Sequence, residues 1–69
     1  MTTTLQHPNG GQVHTIAKDV RPDCITVTHL IDGEWQAQDR CLCDAIAGPR
    51  YRGCITFLQS QGFQVTQVA

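Results

Sequence analysis

The segment CITVTHLIDGEWQAQDRCLC, residues 24–43, constrains the fold more than any other part of the chain. It is rich in β-branched residues and it alternates. Asp32-Gly33 stands near its middle, the strongest short-range signal of a β-hairpin. The register follows from which faces the apolar residues must share. A two-residue turn on Asp32-Gly33 puts Ile25, Val27 and Ile31 on one face with Gln36, Gln38 and Arg40, which splits the apolar set. A three-residue loop, Ile31-Asp32-Gly33 with Gly33 left-handed in a bulge, shifts the pairing by one. Ile25, Val27 and His29 then share a face with Trp35, Ala37, Cys41 and Cys43, and Thr26, Thr28, Gln36, Gln38 and Arg40 fall on the other. One buried face and one wet face is the usual antiparallel arrangement, so the three-residue loop is preferred. Asp39 then lies inside, beside Ile25, where it needs an arginine partner or a place at the rim.

The flanking segments are less decisive. Residues 1–11 read as a flexible N-terminal segment: a polar, Thr-rich start and then a turn at Pro8-Asn9-Gly10-Gly11. QVHTIAK, residues 12–18, alternates weakly because Val13 and Ile16 differ in parity, and it reads as a short edge strand. Arg21-Pro22-Asp23 is a break, since proline drives the residue before it out of helical geometry. After Cys43 the period changes. Asp44 caps a short turn over Ala45-Ile46-Ala47, and Gly48-Pro49 opens a helix about 49–61. Tyr51, Cys54, Ile55 and Leu58 recur at helical spacing as an apolar stripe. Gly62 stops the helix, and residues 63–68 form a last strand. The expected fold is a single α+β domain over 12–69. It is a small two-layer structure: an antiparallel sheet, made of the hairpin about 24–43 plus N- and C-terminal strands, with one helix packed on one face.

A chain of 69 residues buries a limited core, so help from a metal, a disulfide or an oligomer is expected, although its 41% hydrophobic content suffices for a globular domain. The net charge is −1, divided as −3 over residues 1–39 and +2 over residues 40–69. No global field favours nucleic acid or an anionic membrane, but a basic region in the second half is possible. No secretory leader pattern opens the chain and no apolar run reaches membrane-spanning length, which points to the cytoplasm, where structural disulfides are rare.

Four cysteines raise the question of metal or redox chemistry. Zinc knuckles use C-x2–4-C, where a turn folds two thiolates together. Cys41 and Cys43 instead form C-x-C in a strand, with side chains on one side roughly 6.6 Å apart. Cys54, on the helix stripe, could approach from above, but a fourth ligand is missing. In the preferred register Cys41 lies opposite Asp23, far along the strand from His29, and His7 or His14 reaches only if the N-terminal segment folds across. The favoured reading is therefore cysteines as small buried hydrophobes. A Cys24–Cys41 disulfide fits only the rejected two-residue turn. Cys54, one turn into the expected helix and near Arg50, is the better candidate for a reactive thiolate.

No catalytic constellation assembles around His29 or the single Ser60, no phosphate-binding loop or other cofactor motif is present, and no cofactor is expected. GPRYRG, residues 48–53, is the most suggestive stretch. Arginines in the first turn of a helix oppose its dipole and call for an acidic neighbour such as Asp44 or an anionic partner. Phe57 lies off the apolar stripe, and aromatic residues are enriched at interface cores. These features point to a small non-enzymatic binding or regulatory module acting through a protein partner or as a homo-oligomer, with Arg50, Arg52 and Phe57 as contact residues. The alternatives are a cysteine-based metal or redox module using Cys41, Cys43 and Cys54, and a nucleic-acid binder using Arg40, Arg50 and Arg52.

Overall fold

The structure, a computed structural model, describes the backbone of residues 1–21, 24–41 and 44–69, and the side chains of residues 1–21, 25–36 and 50–69. Five strands and one helix follow in the order β1 (Thr2–Gln6), β2 (Val13–Arg21), β3 (Cys24–Ile31), β4 (Glu34–Cys41), α1 (Asp44–Ser60) and β5 (Gln64–Val68). The strands form one sheet in the order β4-β3-β2-β1-β5, every neighbouring pair antiparallel. β1 to β4 are a meander of hairpins. α1 then crosses one face, touching all five strands, and delivers β5 to the far edge beside β1. This is the small two-layer α+β fold expected from the sequence.

The N-terminal segment departs from its expectation. Instead of a flexible stretch over 1–11, Thr2–Gln6 form an interior strand paired on both sides. The reason lies in its inward positions. Leu5 is fully buried, and Thr3 is buried because its Oγ1 shares a 2.5 Å hydrogen bond with the Tyr51 hydroxyl. A buried hydroxyl is tolerated when it is paired. β2 likewise runs on to Arg21, and its inward positions are His14 and Ile16, both buried. A histidine at an inward position is what blurred its alternation.

The β3–β4 hairpin corrects the expected turn. Asp32 and Gly33 have φ of +53° and +81°, and Ile31 pairs with Glu34, so the connection is a two-residue turn with both central residues left-handed. Asp32 earns the place: its Oδ1 accepts from the Val13 amide at 2.8 Å, and its own amide donates to the Val13 carbonyl at 2.8 Å. The ladder then slips. Leu30 pairs with Trp35 but His29 with Ala37, which leaves Gln36 as the extra residue of a bulge. Beyond it, Ile25 stands opposite Cys41, two residues from the expected partner Asp23. Ile25 and Val27 are buried as expected, whereas Trp35, expected inside, pairs with Leu30 on the other face and is 60% exposed.

α1 starts at Asp44 rather than near residue 49. Pro49 therefore falls within the helix, where it forgoes one backbone donor. The stop is as expected. Gly62, at φ +96°, donates to the Gln59 carbonyl, and the Phe63 amide reaches back to the Leu58 carbonyl, both at 3.1 Å. That pair of bonds is the Schellman arrangement, and Phe63 packs against the core to which Leu58 belongs. The core, among the described residues, is Leu5, Ile16, Ile25, Val27, Tyr51 and Leu58, with Cys54, Ile55 and Phe63 packed against it. The helical stripe thus faces the sheet as its spacing required.

Candidate functional site

A helix turns about 100° per residue, so residues seven apart share a side and residues two apart lie about 200° apart. Tyr51 and Leu58 are buried and fix the inward direction of α1. Arg50 and Phe57 accordingly lie together on one flank, and Arg52 lies on the opposite flank. All three are exposed, Phe57 by 63%. The three expected contact residues are therefore divided into a pair and a single residue. Because α1 begins at Asp44, Arg50 and Arg52 sit past its first turn, where the dipole no longer opposes them. The same shift removes Cys54 from the helix N-terminus. It is a free thiol, half-buried against the core.

On the Arg52 flank the start of β1, the end of β2 and the middle of α1 border an open cleft of about 600 Å³. Its lining includes Met1, Lys18, Asp19, Val20, Tyr51 and Arg52. Asp19 is matched by Arg21 at 3.0 Å, both side chains well exposed, an ion pair of little energetic consequence. Met1 and Val20 expose 71% and 64% of their surface beside the cleft, while Tyr51 is buried with its hydroxyl committed to Thr3.

At the other end of the helix the structure assembles a group that sequence reasoning missed. His14 on β2 and His29 on β3 approach Nδ1 to Nε2 at 2.9 Å, one nitrogen donating and the other accepting. They are diagonal neighbours on the covered face, since Ile16 pairs with His29 and His14 with Ile31. Phe63 stands edge-on to His14, with ring centroids 4.7 Å apart, and His7 stands edge-on to Phe63 at 5.3 Å. Burial first, and the neighbouring His14 second, hold the pKa of His29 below its ordinary value. Only one proton can lie between the two facing nitrogens at this separation. The only available signal was the common inward parity of His14 and Ile16, which becomes informative once the β2–β3 register is known.

Among the described residues, no three His, Cys, Asp or Glu side chains gather in a way that could hold a metal ion. The side chains of Cys24, Asp39, Arg40 and Cys41, and Cys43 altogether, lie outside the described residues, and with them the inward placement of the paired cysteines. Among the described residues, no helix is long and apolar enough to cross a membrane. The chain matches no protein-family model, no curated protein and no solved structure.

Proposed function

We propose that this protein is a small non-enzymatic binding module of the cytoplasm, acting through contact with a protein, either another chain or a second copy of itself. The observation that carries this reading is Phe57, an aromatic side chain left 63% exposed on a helix whose other described large apolar residues, Tyr51, Ile55 and Leu58, are turned inward. Exposed aromatic anchors beside an arginine are typical of the energetically dominant centre of protein interfaces. Arg50, on the same flank, supplies a charged rim to that contact. Arg50 and Arg52 diverge around the helix, a poorer match to the continuous basic groove that single-stranded nucleic acid requires.

The test compares the full chain with Phe57→Ala, by light scattering over a range of concentrations and by capture from an extract of the source cells. The wild type is expected to gain mass or retain a companion. Phe57→Ala is expected to lose it while its unfolding free energy moves by less than about 1 kcal/mol. A Phe57→Ala protein that binds as before refutes the reading. So does one destabilised by about 3 kcal/mol or more, the signature of a core aromatic.

A further inference from the structure

We infer that two copies of this chain pair along β5, antiparallel and about a two-fold axis, joining their sheets into one. The contact is made by the sheet edge, on a surface apart from Phe57, and stands without that reading. β5 closes one side of the sheet, with β1 as its neighbour. All five of its residues are exposed. An edge strand presents a row of backbone donors and acceptors, and another strand is what satisfies them. The opposite edge is guarded. β4, EWQAQDRC, carries Glu34, Asp39 and Arg40, and charges on an edge discourage pairing. β5, QVTQV, has neither a charge nor a proline.

The ladder identifies the groups on offer. Met1 and Lys18 exchange both backbone hydrogen bonds, and so do Thr2 and Ala69. Odd-numbered residues of β1 therefore bond β2, and even-numbered ones bond β5. Leu5–Val65 and Thr3–Val68 are then non-hydrogen-bonded pairs, so Val65 and Val68 aim their N–H and C=O groups at the open edge. Thr66, between them, is the extra residue of a bulge, which brings both valines to the helix-bearing face beside Leu5 and Thr3. These positions select the partner. Antiparallel pairing that sets Val65 of one copy against Val68 of the other also sets Val68 against Val65. The two bulges then match in length, and the ladder continues without offset. Both valines, 39% and 64% exposed in one chain, meet valines at the junction. With no charge on β5, no like charges face each other across the axis of this isologous contact. Two five-residue edges make a contact smaller than those of stable complexes, so pairing depends on concentration.

Light scattering and amide hydrogen exchange on the full chain, from about 20 µM to about 1 mM, test this contact. The mass should double, and the amides of Val65 and Val68 should pass from rapid exchange to protection as it does. Val68→Pro removes an N–H that the single chain does not use, a substitution edge strands tolerate. Its urea midpoint should hold while pairing weakens about ten-fold or more, since two interchain bonds are lost per pair. Val65→Lys and Val68→Glu should each weaken pairing. Together in one chain they should restore it, because each lysine then faces a glutamate of the other copy. Phe57→Ala should leave the pair intact, and any mass gained through Phe57 is counted above it. Val65 and Val68 amides unprotected at every concentration, a pair that survives Val68→Pro or is lost in Phe57→Ala, or a double change that fails to restore it would overturn the proposal.

Discussion

Two polar side chains turned toward the helix, Thr3 and His14, decide how much of this protein can be read from its sequence. Each occupies a position that periodicity reserves for an apolar residue, and each is acceptable there only through a remote partner. Thr3 meets Tyr51, 48 positions along the chain, and His14 meets His29, 15 positions along. No local pattern reveals such partners, which is why the first strand looked like a loose segment. The Thr3–Tyr51 bond makes a direct prediction. Thr3→Val should cost about 1–3 kcal/mol in urea unfolding, because the Tyr51 hydroxyl is left buried and unpaired. Thr3→Val combined with Tyr51→Phe should cost less than the sum of the single changes, since the orphaned group is then removed. The histidine pair predicts a pH dependence. His29 titrates below its ordinary value of 6.5 in the folded chain, so the unfolded chain takes up a proton first as pH falls. Stability should be full above pH 6.5 and should decline as pH drops through the lowered folded value. Among the described residues, the titratable groups facing His29 are His14 and, beyond Phe63, His7, neither of which can neutralise an added charge. The melting temperature should therefore fall as pH is lowered below 6.5, and His29→Gln should flatten that fall.

At the scale of elements, the strands and helix with strong local signals were legible. The Tyr51–Leu58 stripe faces the core, the Gly62 stop is where the sequence placed it, and the Asp32-Gly33 hairpin exists. What failed was the choice between two ways of reconciling that hairpin with its faces. Ile25, Val27 and His29 had to share the covered side, and a longer loop was one way to achieve it. The molecule instead keeps the tight left-handed turn and absorbs the offset three residues later as a bulge at Gln36. The two solutions differ in the fate of Trp35, which the two-residue turn pairs with Leu30 and leaves outward at 60% exposure. Deleting Gln36 should remove the bulge while leaving the pairs from His29–Ala37 to Ile25–Cys41 in register. The expected cost is under about 1 kcal/mol, with Trp35 fluorescence still characteristic of a solvated indole. A blue-shifted emission would show that the register had slipped and drawn the indole inward. The start of α1 was misjudged for a related reason. Pro49 is a good first residue of a helix, but five residues of helix precede it, so Arg50 and Arg52 belong to the middle of an element rather than its tip.

At the scale of the whole molecule, a single helix and a small group of buried side chains hold a five-stranded sheet together. β1 is what makes that economy work. It brings Leu5 to the centre of the core and Thr3 to Tyr51, it gives β5 a neighbour, and its start borders the cleft at Met1. The candidate sites were only partly legible because they depend on this closure. GPRYRG and Phe57 were visible as suggestive residues, but their division between two flanks follows from the direction in which Tyr51 and Leu58 are buried. The cleft beside Arg52 required knowing that the start of β1 and the end of β2 lie beside the middle of α1. Amide hydrogen exchange on the intact chain tests the interior position of β1 most directly. The amides of Thr3 and Leu5 should be protected to the same degree as those of Ile16 and Val27, close to the limit set by global unfolding. Exchange of the Thr3 and Leu5 amides at free-peptide rates, with β2 and β3 still protected, would contradict it.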